Sequence, residues 1–236
     1  MKYQSTYGQY CPLAMSADFL CQRWTMLILR EFLEGSSTFN DIGRGVPRMS
    51  RTLLSRRLKE LIDVGLIQKK SNKNGHQSEY VFTEAGKALG PVVMAMANWG
   101  QEWINIEPSI NNIDVDLLMW DIRRHTRPLS VLPDPFIVHI FLSDVEDKYA
   151  NHWLIYEEDN VDLCYIDKEF NVDVYIETTA AKLTKVWMGW ENFEQAVKAR
   201  ELIIEGDEKY TSIAKEWLGQ SSVSKIKKVK KKLRVV

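Results

Sequence analysis

Residues 50–70, SRTLLSRRLKELIDVGLIQKK, decide the fold of the first half of the chain. The hydroxyl of Ser50 can cap the start of a helix, and Gly65 is a residue type that ends helices. Between them, apolar residues recur at steps of three and four, which predicts a helix over residues 51–64 with one buried face. Its apolar positions are Leu54, Leu58, Leu61 and Ile62.

The sequence on both sides of this stretch predicts more helices and a β-hairpin. Apolar periodicity predicts the helices, Ser and Thr side chains predict where they begin, and glycines predict where they end. A polar segment with Asn74-Gly75 between two strand patterns predicts the hairpin. The predicted elements are a helix over 18–34, a short helix capped by Thr38, the helix over 51–64, strands over 66–70 and 79–82, and a helix over 84–104.

The charge of the chain is small in total but uneven along the sequence. The 236 residues are enough for one or two domains, and their net charge is −1. Residues 1–110 hold 13 Lys and Arg against 10 Asp and Glu, residues 111–220 hold 11 against 22, and residues 221–236 hold seven against none. Residues 44–73 alone hold nine basic side chains and two acidic ones. This basic patch suggests a polyanion as its partner.

The helix over 51–64 carries basic and hydroxyl side chains opposite its apolar face. In helix-turn-helix proteins such a helix buries one face and places the other in the major groove of DNA. Arginine can bind guanine through two hydrogen bonds, and Lys, Arg, Ser and Thr can bind phosphates. The alternative is a basic face that is only solvated. The predicted DNA-binding residues are Arg48, Ser50, Arg51, Thr52, Ser55, Arg56 and Lys59, and in the hairpin Lys69, Lys70, Lys73 and His76.

Several separate segments of residues 11–104 closely resemble the HxlR-type winged-helix transcriptional regulators of bacteria. The resemblance implies a homodimeric repressor or activator that binds a two-fold related operator and dimerises through its terminal helices. The interface residues that it suggests are Met96, Trp99 and Trp103, and packing within one chain is the alternative for them. The matching segments are CPL at 11–13, RWTMLILRE at 23–31, FNDI at 39–42, SRTLLSRRLKEL at 50–61, GLI at 65–67, YVFTEAG at 80–86 and the helix with Trp99-Gly100.

Three cysteines, Cys11, Cys21 and Cys164, are too few for a disulfide framework, as expected in a reducing compartment. In some HxlR-type regulators, a cysteine at the Cys-Pro-Leu position senses oxidants or electrophiles. Such a role requires an exposed thiolate with a lowered pKa. Cys11 therefore has two interpretations, a structural thiol or a redox sensor. Cys21 and Cys164 are predicted to be buried.

The second half of the chain has an α+β pattern, with predicted strands over 136–142, 152–156, 161–166, 172–176 and 202–204. The segments VDVYIETTAAKL at 172–183, WMG at 187–189 and ELIIEGD at 201–207 resemble the sterol carrier protein type two domain. That resemblance implies an apolar tunnel for a small hydrophobic or lipid-like effector. Side chains that form only the core are the alternative. The candidate lining residues are Phe136, Phe141, Trp153, Tyr165, Tyr175, Trp187 and Trp190.

The sequence has no pattern typical of an enzyme, a metal site or a membrane span. His76, His125, His139 and His152 lack metal-ligand spacing, and the motifs of nucleophile elbows and phosphate-binding loops do not occur. No run approaches the ~20 apolar residues of a membrane helix. We therefore expect a cytoplasmic protein that is not an enzyme, needs no cofactor or metal and does not bind membranes.

Together these features predict an α+β protein with a winged helix-turn-helix followed by a smaller sheet-and-helix domain. The predicted function is a homodimeric transcriptional regulator whose DNA affinity changes with a small hydrophobic ligand. Three alternatives remain: a redox or electrophile sensor acting through Cys11, a lipid-binding protein whose winged helix docks a protein partner, and a constitutive DNA-binding architectural protein whose second half binds no ligand. The predicted parts are a DNA-binding and dimerisation domain at 1–106, a linker at 107–112, a ligand-binding domain at 113–220 and a basic disordered tail at 221–236.

Overall fold

A computed structural model of the chain describes residues 6–71 and 78–235. The chain divides into two compact units, Met1–Ala97 and Asn98–Val236. This boundary precedes the predicted one at residue 106, because residues that follow Ala97 bind within the second unit. The Gln101 side chain donates to the Met188 carbonyl at 3.0 Å and accepts from the indole N–H of Trp190 at 2.8 Å.

The first unit consists of helices and one β-hairpin. Its last helix continues into the second unit. Its elements are α1 (Pro12–Leu20), α2 (Thr25–Leu33), α3 (Phe39–Gly45), α4 (Arg51–Asp63), β1 (Ile67–Ser71), β2 (Ser78–Phe82), α5 (Glu84–Lys87) and α6 (Gly90–Trp103).

Two predicted helices are each divided in the structure, whereas α3 and α4 are confirmed with their caps. The helix predicted over 18–34 is wrong, because Trp24 adopts a left-handed conformation, with φ of 80°, between α1 and α2. The helix predicted over 84–104 ends at Lys87 and resumes at Gly90. The Thr38 hydroxyl accepts from the Asp41 N–H at 3.1 Å, and the Ser50 hydroxyl accepts from the Leu53 N–H at 3.3 Å.

The apolar face of α4 forms part of the core of the first unit. Leu54, Leu58 and Leu61 are buried there with Ile28 of α2 and Ile42 of α3. Burial of such a side chain is worth roughly 1.5–3 kcal/mol. The core therefore fixes which face of α4 remains in water.

A buried carboxylate joins α2 to the end of α3. The Glu31 side chain is 0% exposed, and its two oxygens accept from the Arg30 guanidinium at 2.6 Å and the Ser36 hydroxyl at 3.2 Å. The same Arg30 nitrogen donates to the Gly45 carbonyl at 2.9 Å. A Cβ atom at Gly45 would lie 1.8 Å from the Glu31 carboxyl carbon, so only glycine fits there.

Hydrogen bonds connect the β-hairpin to both ends of the α3–α4 segment. β1 and β2 are antiparallel, with Lys69 opposite Tyr80. The Tyr80 N–H donates to the Ser37 carbonyl at 2.7 Å, and the Thr83 hydroxyl donates to the Gly65 carbonyl at 2.7 Å. The hairpin therefore has a fixed position beside α3 and α4, as in a winged helix-turn-helix.

The second unit contains a five-stranded sheet with helices. Its strand order is β5-β4-β3-β6-β7, in which β3 and β6 are parallel and the other neighbours are antiparallel. Its elements are α7 (Glu107–Ile110), α8 (Val115–His125), β3 (Phe136–Leu142), β4 (Asn151–Glu157), β5 (Asn160–Cys164), β6 (Val174–Thr178), α9 (Ala180–Trp187), α10 (Phe193–Lys198), β7 (Leu202–Gly206), α11 (Glu208–Thr211) and α12 (Ala214–Leu218), with 3-10 turns at Asp147–Tyr149 and Lys231–Leu233.

The two faces of this sheet differ in what covers them. Phe136 and Val138 of β3 are buried in one cluster with Leu183 of α9 and Trp217 of α12. Since side chains alternate along a strand, His139 and Phe141 point to the opposite face.

No helix in the described part of the chain is long and apolar enough to cross a membrane.

The basic tail that we predict to be disordered has defined contacts at the C-terminal end of α6. The Lys228 ammonium donates to the carbonyls of Gln101 at 2.7 Å and Ile104 at 3.0 Å. The Val235 N–H donates to the Trp103 carbonyl at 2.9 Å. The last carbonyls of a helix lack partners within the helix and attract cations, which explains why the tail binds there.

The contact between Gly45 and Glu31 predicts that Gly45→Ala weakens the first unit. The added methyl group must displace the buried carboxylate, so the free energy of unfolding should fall by about 1–3 kcal/mol in urea denaturation. Gly100→Ala is the matched control, because its Cβ would lie 3.6 Å from the Ile104 side chain, an ordinary contact. Equal stability of Gly45→Ala and the wild type would contradict the packing described here.

Candidate DNA-binding surface

Five predicted residues form one exposed strip on α4, which we call the α4 surface. Because α4 buries its leucine face, the steps of three and four between these residues place them together in water. Ser50 and Arg48 precede the helix and are also exposed. The α4 surface consists of Arg51, Thr52, Ser55, Arg56 and Lys59.

Arg51 is held against α3 by two contacts. Its guanidinium donates to the Asn40 side-chain oxygen at 2.7 Å and lies 4.9 Å from the centre of the Phe39 ring. A guanidinium has five N–H groups, so others remain for a ligand. The FNDI segment at 39–42 contains Asn40, but no pattern in the sequence predicts its contact with Arg51.

Arg56 and Arg57 are adjacent but have different surroundings. Arg56 is exposed and lies 3.7 Å from the Glu60 carboxylate. Exposed pairs of this kind contribute about 0–1 kcal/mol, so a phosphate or base can replace Glu60 at little cost. Arg57 is largely buried and donates to Gln22 and Glu60. Arg57 therefore stabilises the fold, and Arg56 remains accessible.

The hairpin adds two exposed lysines to the basic residues of the first unit. Lys69 and Lys70 are exposed on β1, and the Lys69 ammonium lies 5.9 Å from the centre of the Tyr80 ring. Lys73 and His76, which the sequence also predicts for DNA binding, lie outside the described residues.

Cys11 is exposed and occupies the N-cap position of α1. Hydrogen bonds from the backbone N–H groups of Ala14 and Leu13 favour the thiolate and lower the pKa of Cys11 below its ordinary value. Cys21 is exposed as well, so its predicted burial is wrong, and Cys164 is half-buried.

The three aromatic and apolar residues predicted for dimerisation lie on α6 and differ in exposure. Met96 is 60% exposed and Trp99 is 50% exposed, so packing within the chain covers only about half of each side chain. Trp103 is half-buried, and its carbonyl accepts from the Val235 N–H.

The structure does not bring the seven predicted ligand-lining residues into one tunnel. Phe136 and Trp153 are buried within the packed sheet. Trp187 and Trp190 line a cavity of about 200 Å³ formed by α7, α8 and α9. Phe141 and Tyr175 line a different cavity, of about 250 Å³, on the sheet. Tyr165 lines neither cavity. Phe136 faces the helix-covered side of the sheet, Phe141, Trp153 and Tyr175 lie on the opposite face, and Trp187 and Trp190 belong to α9 and the segment after it.

No set of three or more metal-binding side chains comes together in residues 6–71 and 78–235. The His139 Nε2 atom lies 2.9 Å from the Asn151 side-chain oxygen.

Comparison with known proteins identifies the family of the first unit. Residues 19–108 match the model of the HxlR-like helix-turn-helix family. Over 100 residues the chain is 35% identical to YvaP of Bacillus subtilis strain 168, which is named an uncharacterized HTH-type transcriptional regulator. The match covers 42% of this chain and 93% of YvaP. The chain belongs to the HxlR-like helix-turn-helix family.

Other relatives and solved structures of similar proteins cover the same part of this HxlR-like chain. YdeP of the same organism, also named an uncharacterized HTH-type transcriptional regulator, is 28% identical over 43% of this chain and 80% of YdeP. The redox regulator HypR in its reduced form is 26% identical, with a TM-score of 0.37 over 39% of this chain and 91% of HypR. The reduced form of the transcriptional regulator YodB from B. subtilis is 30% identical, with a TM-score of 0.36 over 39% of this chain and 93% of YodB.

Membership of the HxlR-like family makes this protein a transcriptional regulator of the winged-helix type, and the family implies DNA as its partner. The relatives are named as transcriptional regulators, and the comparisons indicate no family of enzymes. The family match ends at residue 108, so the sheet of the second unit lies beyond it.

Proposed function

We propose that this HxlR-like regulator binds operator DNA by inserting α4 into the major groove. The observation that carries the proposal is the division of α4 into two faces. Leu54, Leu58 and Leu61 are buried, while the α4 surface is exposed and holds three cations. A recognition helix needs this arrangement, because one face must stay packed while the other contacts the bases.

The side chains at the α4 surface suit different parts of DNA. Arg56 and Arg51 can donate two hydrogen bonds to guanine, and Thr52 and Ser55 can bind base edges or phosphates. Arg48, Ser50 and Lys59 would bind phosphates beside the helix. Lys69 and Lys70 of β1 would follow the DNA backbone, and so would Lys73 and His76, which the sequence also predicts for DNA binding.

We further propose that the regulator is a homodimer whose chains meet through α6. Exposed apolar side chains such as Met96 and Trp99 lose water contact when a second chain covers them. A two-fold dimer would place its two α4 helices on half-sites ~34–36 Å apart. A solution mass equal to one chain, measured by light scattering at micromolar concentration, would contradict this.

We also propose that an effector binds to a cavity of the second unit. The cavity of about 200 Å³ is lined mainly by apolar side chains, including Trp187 and Trp190. The Trp187 indole N–H is buried and has no hydrogen-bond partner among the described residues. The resemblance to sterol carrier domains supports the same ligand class. Such a ligand would regulate DNA binding only if it bound the two DNA-affinity states unequally.

Filling this cavity gives a direct test of the effector site. Thr184 lines it, and a Thr184→Phe side chain would occupy the space of a ligand. Hydrophobic compounds that change operator affinity in the wild type should then have no effect, and an unchanged response would contradict the assignment.

The α4 surface predicts a salt-dependent preference for specific DNA. We expect the protein to bind the DNA upstream of its own gene at least ~10³-fold more tightly than random duplex. Arg56→Ala should reduce that preference by about 1–3 kcal/mol. Lys59→Ala should weaken binding to both DNAs and lower the salt slope by about one unit. Fluorescence anisotropy at several salt concentrations measures each effect.

Lys198→Ala is the matched control for Lys59→Ala, because Lys198 is an exposed helical lysine of the second unit. It should leave both the affinity and the salt slope unchanged. If neither DNA binds even at low salt, the alternative of a lipid-binding protein whose winged helix docks a protein replaces this proposal.

The exposure and lowered pKa of Cys11 favour a thiol switch as a second candidate function. Because the lowered pKa enriches the thiolate at neutral pH, oxidants or electrophiles would react there first. Modification at the start of α1 would then alter DNA affinity. The alternative is that Cys11 is a structural thiol without a sensing role.

The thiol-switch candidate predicts an acid-shifted reactivity of Cys11. In a chain with Cys21→Ser and Cys164→Ser, iodoacetamide labelling of Cys11 should rise at lower pH in the folded protein than in urea. Cys11→Ser should also abolish any effect of hydrogen peroxide on DNA binding. Identical pH profiles in the folded and unfolded chain, or an oxidant response that survives Cys11→Ser, would contradict this candidate.

A further inference from the structure

The sheet face opposite the helices holds the cavity of about 250 Å³, and its side chains come from three neighbouring strands. Strand register arranges these side chains in two rows. His139 of β3 lies opposite Tyr175 of β6, which lies opposite Glu205 of β7. The second row consists of Phe141, Glu177 and Ile203. We call these six residues the sheet-face site.

Aromatic rings form the walls of the sheet-face site and are held in place by their neighbours. The His139 ring meets the Tyr175 ring edge-on at 5.7 Å and stacks on the Trp153 ring at 4.7 Å. Asn151 fixes the His139 imidazole through a 2.9 Å hydrogen bond. Phe141 and Tyr175 nevertheless remain 37% and 50% exposed. The His139 and Tyr175 rings are thus in contact with neighbouring side chains, while part of the Phe141 and Tyr175 surfaces remains open to a ligand.

Two carboxylates border the same rings. Glu177 and Glu205 lie on adjacent antiparallel strands, two register positions apart, and both are exposed. Neither side chain has a hydrogen bond or ion pair with another residue in the described part of the chain. Carboxylates on a surface are usually only solvated, but these two line a cavity with aromatic walls.

From this combination we propose that the sheet-face site binds a small organic ammonium cation, of the class that includes choline and methylated amines. Aromatic faces attract cations within about 6 Å, and quaternary ammonium groups are the ligands that aromatic cages recognise. The two carboxylates balance the ligand's charge. The cavity of about 250 Å³ is small, so it suits a small cation better than a drug-sized molecule.

Charge around the site favours the same ligand class. Residues 111–220 hold 22 acidic side chains against 11 basic ones, so the surrounding protein attracts cations. A neutral apolar molecule would leave Glu177 and Glu205 unpaired, whereas a small inorganic cation keeps its water and gains less from the rings. The proposal concerns ligand binding alone and does not depend on DNA binding.

The experiment compares choline with 3,3-dimethyl-1-butanol, a neutral molecule of the same shape. Isothermal titration calorimetry at low ionic strength measures affinity, and the methyl NMR signals of Ile203 report binding at this cavity. We expect choline to shift the Ile203 signals and to bind at least about tenfold more tightly than the neutral molecule. Equal binding of the two compounds, or no change at Ile203, would overturn the proposal.

Variants test separately what the carboxylates and the rings contribute to choline binding. Glu177→Gln combined with Glu205→Gln should weaken choline binding at least about tenfold, and Tyr175→Leu should also weaken it. Glu157→Gln on β4 and Tyr165→Leu are matched controls, since both residues are exposed and lie outside the cavity. Circular dichroism confirms that each variant folds. Unchanged binding in either the folded double variant or Tyr175→Leu would overturn the proposal.

Discussion

The DNA-binding part of the structure depends on one buried carboxylate. Glu31 is 0% exposed, and a buried charge is tolerated only when hydrogen bonds and an opposite charge compensate for lost water. Arg30 and Ser36 supply that compensation, and Arg30 also binds the Gly45 carbonyl. Since Gly45 ends α3 shortly before α4 begins, this group of contacts fixes the end of α3 from which the chain leads into α4.

Sequence reasoning succeeded where local signals agreed. For α4, the Ser50 cap, the spacing of Leu54, Leu58 and Leu61, and Gly65 all predict the same helix, and the structure confirms it. The sequence predictions are wrong or silent where the surrounding structure decides. The left-handed Trp24 divides a segment whose periodicity predicts one continuous helix, and no sequence pattern predicts that Glu31 is buried. Likewise, the aromatic residues of the second unit could be listed from the sequence, but only the strand register shows which of them share a face.

The two units differ in charge in a way that suits separate tasks. The exposed cations of the α4 surface and β1 suit a polyanion, whereas the acidic second unit would be repelled by DNA and would attract cations. The basic tail is not a free arm in this structure, because Lys228 and Val235 are hydrogen-bonded at the end of α6. In this account, DNA is bound by the first unit and small molecules by the second.

Site-specific photo-cross-linking tests the central claim, that α4 contacts DNA, most directly. Ser55, at the middle of the α4 surface, is replaced by p-benzoylphenylalanine, and Ser130, an exposed serine of the second unit, is replaced in a control. Irradiation with the DNA upstream of the gene should cross-link the chain at position 55 and not at position 130. Cross-linking at 130 without cross-linking at 55 would contradict the account.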